Sequence, residues 1–209
     1  MAFSEENKNE KKAHIIESAA KVFAKKGFSG TVVADIATEA GIGKGTVYEY
    51  FNSKDDLFFA VFEWFSQKTA AAAVVKFSAL TGSTSERLKA IEESIINVVT
   101  EAKEVYSLSM EFWAASASSK MRERFKEAFR QSYAEFRNII SSLIQEGIER
   151  GEFRSDLDPD SLAAVLIGAW DAIGLQAWFD DSFDLTAASK NFMTCIISGM
   201  TAKPSYRVN

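Results

Sequence analysis

Between Glu10 and Lys26 the apolar positions Ile15, Ala19, Val22 and Phe23 recur on one helix face. Lys25 and Lys26 favour its negative end and Gly27 closes it, so the spacing predicts a first helix over about 10–26. The polar residues before it, 1 to about 9, are predicted to be disordered. Val33, Ile36, Ala37 and Ala40 then follow the i, i+3, i+4, i+7 spacing of a short second helix, which stops at Gly41. After the turn Ile42-Gly43, a third helix over 44–51 places Val47 and Phe51 on one side and Gly45 and Glu49 on the other, flanked by Thr46 and Tyr48. One face packs and the other is offered to a partner. Ser53-x-x-Asp56 caps the start of a fourth helix that is apolar nearly all round, with Phe58, Phe59, Phe62, Trp64, Phe65 and Phe77. Such a helix touches neighbours on more than one side.

The stretch Thr81-Gly82-Ser83-Thr84 breaks the pattern, and Ser83-x-x-Glu86 caps a fifth helix carrying Leu88, Ile91, Ile95, Val98 and Val99. Further helices are predicted at about 104–117 and 119–150, the second ending at Gly151. Asp158-Pro159 combines an N-cap with proline at the first helical position and starts a helix to about Asp180, while Asp184 starts the last, to about Met200. The expectation is an all-α fold of about nine helices, without the alternating pattern of strands. A small N-terminal domain over 1–55 and a larger one over 56–209 are expected, joined through a shared helix rather than a linker.

The net charge of −5 is unevenly spread. Residues 1–55 carry eight Lys against eight Asp or Glu, so the acidity belongs to residues 56–209. Lys8, Lys11, Lys12, Lys21, Lys25, Lys26, Lys44 and Lys54 are therefore available as phosphate contacts. The apolar runs Thr69 to Val75 and Ser161 to Trp170 are shorter than the roughly 18 residues of a membrane span. The first residues lack a signal peptide's basic start and apolar core, and the single Cys195 has no partner in the chain. A soluble protein of the reducing cytoplasm, without membrane contact, is expected.

The run Ala37-x-x-Ala40-Gly41-Ile42-Gly43-Lys44-Gly45-Thr46-Val47-Tyr48-x-Tyr50-Phe51-x-x-Lys54-x-x-Leu57 resembles the helix-turn-helix signature of TetR-type transcriptional regulators. A recognition helix reads base edges from the major groove while flanking groups hold phosphates. Lys44 can donate to guanine O6 and N7 or to a phosphate, Gly45 lets the backbone approach, and Thr46 offers a hydroxyl and a methyl. The resemblance implies that Tyr48 and Lys54 clamp phosphates, with Tyr50 and the start of the second helix, Thr31 and Val33, nearby. Glu49 departs from the pattern, because an acid on the exposed arc repels phosphates. It either accepts from cytosine N4 or pairs with a nearby Lys, and the ion pair is the favoured expectation. A nucleotide-binding loop is rejected for Gly41 to Thr46, since Gly45 separates Lys44 from Thr46 and a helix precedes.

The same resemblance implies a partner of double-stranded operator DNA, a small-molecule effector held in the larger domain, and a homodimer built by the last two helices. Leu162, Val165, Leu166 and Ala169 on one helix and Phe192, Cys195 and Ile196 on the other are the expected interface, with Gly168, Gly174 and Gly199 permitting close approach. Met110, Trp113, Phe129, Tyr133 and Trp170 are the expected wall of an apolar effector cavity, although aromatics at helical spacing equally suit ordinary core. No catalytic site, metal or cofactor is expected: His14 is the only histidine, far from Cys195, and no acid–base pair or ligand cluster is spaced for chemistry. The leading expectation is a ligand-responsive repressor released from a palindromic operator by an apolar or amphipathic effector. A helical adaptor without sequence-specific DNA binding is the alternative, and Glu49 with the neutral balance of residues 1–55 are its hints.

Overall fold

The computed structural model describes residues 2–101, 103–118 and 120–202. Among them the chain forms α1 (Ala2–Gly30), α2 (Val33–Glu39), α3 (Lys44–Tyr50), α4 (Lys54–Ser78), α5 (Thr84–Glu101), α6 (Lys103–Ser118), α7 (Arg122–Glu149), α8 (Pro159–Phe179) and α9 (Leu185–Met200). The only extended pairing among these residues is an isolated bridge between Phe153 and Thr201. The N-terminal residues expected to be disordered instead extend α1 back to Ala2. Gly27, at φ 68 and ψ 166, leaves the helical conformation where the first helix was expected to close, and a further short turn runs from this kink to Gly30.

Two compact units form: residues up to Ala72 with Glu104–Arg130, and Ala73–Lys103 with the residues from Gln131 onward. In the first unit Ile15, Ala19 and Phe23 of α1, Ile36 of α2, Val47 of α3, Leu57, Phe58 and Phe62 of α4, Phe112 of α6 and Phe125 of α7 share one core. The Phe58 ring lies 4.9 Å from Phe23, 4.7 Å from Phe28, 4.9 Å from Phe112 and 5.8 Å from Phe125. This is why α4 needed apolar residues on several sides. Phe58 is fully buried, and removing a side chain so placed costs about 3–5 kcal/mol.

The second unit packs Leu88 and Ile91 of α5, Ile140 and Ile144 of α7, Leu166 and Trp170 of α8, and Met193 and Ile197 of α9. Its helix starts follow local signals. Asp158 accepts from the backbone N–H groups of Asp160 at 3.1 Å and Ser161 at 3.4 Å, and Asp184 accepts from Ala187 at 2.9 Å. Ser83 and Glu86 exchange bonds, Ser83 N to Glu86 Oε2 at 2.8 Å and Glu86 N to Ser83 Oγ at 3.3 Å. The Ser161 hydroxyl, with the backbone N–H groups of Ser161 and Asp160, holds the Asp158 carboxyl below its ordinary range, and the Ser83 N–H and hydroxyl do the same for Glu86. Over its 21 residues α8 is long and apolar enough to cross a membrane by length and composition. Run length alone did not disclose this, because Asp171 interrupts the apolar sequence. One face of α8, with Ala163, Leu166, Ile167, Trp170 and Gly174, is buried in the unit's core.

Candidate nucleic-acid interface

The turn between α2 and α3 is built from backbone bonds around a left-handed glycine. Gly41 has φ 65, its N–H donates to Thr38 O at 3.1 Å, and Ile42 N donates to Ala37 O at 3.0 Å. Val47 and Phe51 then fill the core below at 1% and 4% exposure, which turns Lys44, Gly45, Tyr48 and Glu49 outward. Thr46 lies half-buried at the edge of this arc. A methyl group at Gly45 would meet nothing within 4 Å, so the centre of the arc is a bare stretch of backbone. The Lys44 ammonium lies 5.8 Å from the Tyr48 ring centroid, and the two form a positive, donor-rich edge.

The bundle beneath is fastened at both ends of α2. Asp35 accepts from Val32 N at 3.1 Å and pairs with Lys26 at 2.8 Å, and the hydrogen bond from Lys26 is the main cause holding its carboxyl below the ordinary range. At the other end His14 Nε2 lies 3.1 Å from the Ala40 carbonyl, bonding α1 to the end of α2. The single histidine thus serves structure.

Several expected contacts lie elsewhere. Thr31 is 1% exposed and its hydroxyl donates to Gly27 O at 2.7 Å, so it stabilises the kink rather than facing outward. Val33 belongs to the buried face of α2, as its periodicity required, while its neighbour Val32 is 59% exposed at the start of that helix. Tyr50 is half-buried and packs against the core. Lys54 donates to two backbone carbonyls, Phe28 O at 2.7 Å and Thr31 O at 2.8 Å. The favoured ion pair of Glu49 does not form: the acid is exposed, and the described ion pairs of the bundle join Lys21 to Glu39 and Lys26 to Asp35 instead. Helical projection puts Glu49 outward, and no lysine pairs with it among the described residues.

The expected effector wall is divided. Met110, Trp113 and Phe129 are half-buried in the first unit, where Phe129 stands 4.9 Å from Phe62. Tyr133 and Trp170 belong to the second, along the contact of α7 with α8. There Tyr133 Oη donates to Asp171 Oδ2 at 2.6 Å, and the Phe136 and Trp170 rings are 6.1 Å apart. Burial pushes the Asp171 carboxyl above its ordinary range, against the opposing bond from Tyr133. Trp170 Nε1 is buried without an acceptor among the described residues. Asp171, a lone acid in an apolar helix, stands beside the expected wall residues Tyr133 and Trp170 without having been counted among them. A separate open groove of about 390 Å³ on the second unit is lined by Ser141, Gln145, Glu146, Glu149 and Asp160, a polar and acidic surface.

Of the expected interface residues, Leu166 points into its own core at 1% exposure, and Leu162, Ala169, Phe192 and Ile196 are half-buried. Val165 is 61% exposed, Phe179 is 73% exposed and Cys195 is also outside. A methyl at Gly168 or Gly199 would meet nothing within 4 Å, leaving both open for close approach.

A family model of bacterial regulatory proteins of the tetR family matches residues 15–61, and one of the C-terminal part of BetI-type transcriptional repressors matches residues 84–196. The fatty acid metabolism regulator protein of Bacillus subtilis strain 168 is 28% identical over 94% of this chain and 98% of its own length. Among solved structures, a TetR transcription regulator from Haloarcula marismortui superposes with a TM-score of 0.81 at 19% identity, covering 92% of this chain and 99% of that one. The transcriptional regulator FadR from Bacillus subtilis, in complex with stearoyl-CoA, does so with a TM-score of 0.71 at 22% identity, covering 90% and 98%.

Proposed function

The chain belongs to the TetR family of bacterial transcriptional regulators, and we propose that it is a repressor that binds a palindromic operator as a dimer and is released by a small apolar or amphipathic effector. The outward arc of α3 carries this reading. It sets a bare Gly45 between Lys44 and Tyr48 above the buried Val47, so the backbone can approach a groove with donors on either side. In this reading Lys44 and Thr46 address bases, Tyr48 holds a phosphate, and Glu49 accepts from cytosine N4, since the ion pairs among the described residues of the bundle join other acids. Functionally, residues 1–55 bind DNA and residues 56–209 sense and dimerise.

One helix-turn-helix reads only a few base pairs, so half-sites about 34–36 Å apart require two copies. The exposed Val165, Phe179 and Cys195, with the open Gly168 and Gly199, support α8 and α9 as the faces that meet. An effector with an acyl or comparably apolar body is supported by the aromatic residues Tyr133, Phe136 and Trp170 of the second unit and by the similarity to a fatty acid metabolism regulator. Its polar group would meet Tyr133 and Asp171.

A gel shift with the DNA flanking the protein's own gene, repeated as salt is raised, tests the DNA reading. Binding that weakens with salt is expected, because phosphate contacts release counterions. No binding to any duplex would favour the adaptor instead. Adding long-chain acyl compounds to the complex should release the DNA, and a panel that leaves both DNA affinity and melting temperature unmoved would refute the effector class.

A further inference from the structure

The seam between α7 and α8 gathers aromatic rings around a carboxylate. Tyr133 and Phe136 stand one helical turn apart on α7, and they meet the adjoining residues Asp171 and Trp170 of α8. Tyr133 Oη donates to Asp171 Oδ2 at 2.6 Å, and the Phe136 and Trp170 rings lie 6.1 Å apart. Trp170 is 5% exposed, and its Nε1–H is buried with no acceptor among the described residues. A donor left in that state costs free energy until something supplies an acceptor. Charge along the seam has one sign. Over Pro159–Phe179 α8 has no Lys or Arg, and between Gln131 and Glu149 α7 has only Arg137, which is exposed. Burial holds the Asp171 carboxyl above its ordinary range despite the bond from Tyr133, so its ionised form gains from a cation brought against it.

We propose that this seam receives the head of the effector and that the head is an organic ammonium ion, its charge set against Asp171, its alkyl groups against the rings of Tyr133, Phe136 and Trp170, and a neighbouring oxygen accepting from Trp170 Nε1. The proposal rests on the effector reading and names its chemical class: an apolar body that ends in a cation. Aromatic faces attract a cation most strongly where water is excluded. Asp171 supplies the counter-charge at the same place, and the Tyr133 hydroxyl holds that carboxylate in position. A carboxylate or phosphate head would instead face Asp171 with no cation of α8 to offset the repulsion.

The test titrates the full chain, by calorimetry, with three probes that share an octanoyl body. They are octanoylcholine, the uncharged ester in which a tert-butyl group replaces its trimethylammonium, and free octanoate, each below its micelle-forming concentration. Octanoylcholine should bind about tenfold tighter than its uncharged isostere, and octanoate should bind weakest. Asp171→Asn keeps an acceptor for Tyr133 and removes the charge. It should bring octanoylcholine to within about threefold of the isostere, the residue left by the rings alone, without changing the isostere's own affinity. Trp170→Phe keeps a ring and removes the donor, and should weaken both esters alike, by about threefold to tenfold. Isostere or octanoate binding to the wild type as tightly as octanoylcholine would overturn the assignment of the head while leaving the effector reading in place. A preference for the ammonium that survives Asp171→Asn would overturn it too, by putting the cation elsewhere. Should Asp171→Asn not fold, the ranking of the three probes on the wild-type chain decides. If none of the three binds, the proposal falls, and the effector reading falls with it when longer acyl compounds are also without effect.

Discussion

Replacing Gly45 by alanine separates the stability of the recognition helix from its use. In α3 a glycine is less favourable than alanine by about 0.5–1 kcal/mol, because the glycine backbone loses more freedom on folding. A Cβ built at Gly45 meets nothing within 4 Å, so no clash offsets that gain. The free protein should become more stable, and its melting temperature should rise by about 1–4 °C. On DNA the same methyl stands where the backbone has to approach. Forcing one extra carbon into a packed contact costs about 1–3 kcal/mol, or roughly tenfold to a hundredfold in affinity for each half-site. Thermal unfolding followed by circular dichroism gives the first quantity, and fluorescence anisotropy with a labelled duplex at fixed salt gives the second. Higher stability together with unchanged or tighter binding would refute the reasoning, because it would mean that the bare arc does not face the groove.

Three further outcomes follow from particular contacts. Glu49→Gln should change the preferred base at one position of each half-site, since an amide both donates and accepts where the carboxylate only accepts; an unchanged consensus from binding-site selection would remove Glu49 from readout. Glu92 is 2% exposed and takes a hydrogen bond from Ser189, and burial raises its carboxyl above the ordinary value of 4.5. The folded chain then holds this proton more tightly than the unfolded one, so Glu92 costs nothing below about 4.5 and costs progressively more as pH rises through the folded value. The melting-temperature advantage of Glu92→Gln should therefore be absent in acid, grow with pH and then level off, whereas a difference independent of pH would contradict the assignment. Val165→Glu, at a position 61% exposed, should leave the stability of one chain within about 0.5 kcal/mol while halving the mass seen by light scattering, and a persistent dimer would move the interface away from α8.

What could be read from the sequence was local. The caps at Ser83, Asp158 and Asp184 and the turn at Gly41 are each decided by residues within a few positions, and the structure forms them with the expected backbone partners. The packing side of α3 was equally legible, because Val47 and Phe51 follow from helical periodicity. What failed depended on distant partners or on what a helix face meets. The carbonyls that hold Lys54 lie 26 and 23 residues before it, beyond any motif. Thr31 is drawn inward by the Gly27 carbonyl four residues before it, and the charged start of α1 had too little apolar residue content to announce a helix. Phe153, a lone aromatic after Gly151, gave no periodic signal, yet it is 2% exposed and bridges to Thr201. Aromatic spacing on α6, α7 and α8 does not separate wall from core, and Phe129 proved to stand among the phenylalanines of the first unit.

The central claim is that the outward arc of α3 reads base edges in a pair of half-sites. Selection of duplexes from a random library by the wild-type chain, repeated with Lys44→Ala, tests it most directly. A two-fold symmetric site with half-site centres about 34–36 Å apart is expected. Lys44→Ala should alter the preferred base at one position per half-site, at about 1–3 kcal/mol if the contact is bidentate. An unsymmetrical or unenriched pool, or the same consensus from both proteins, would contradict it.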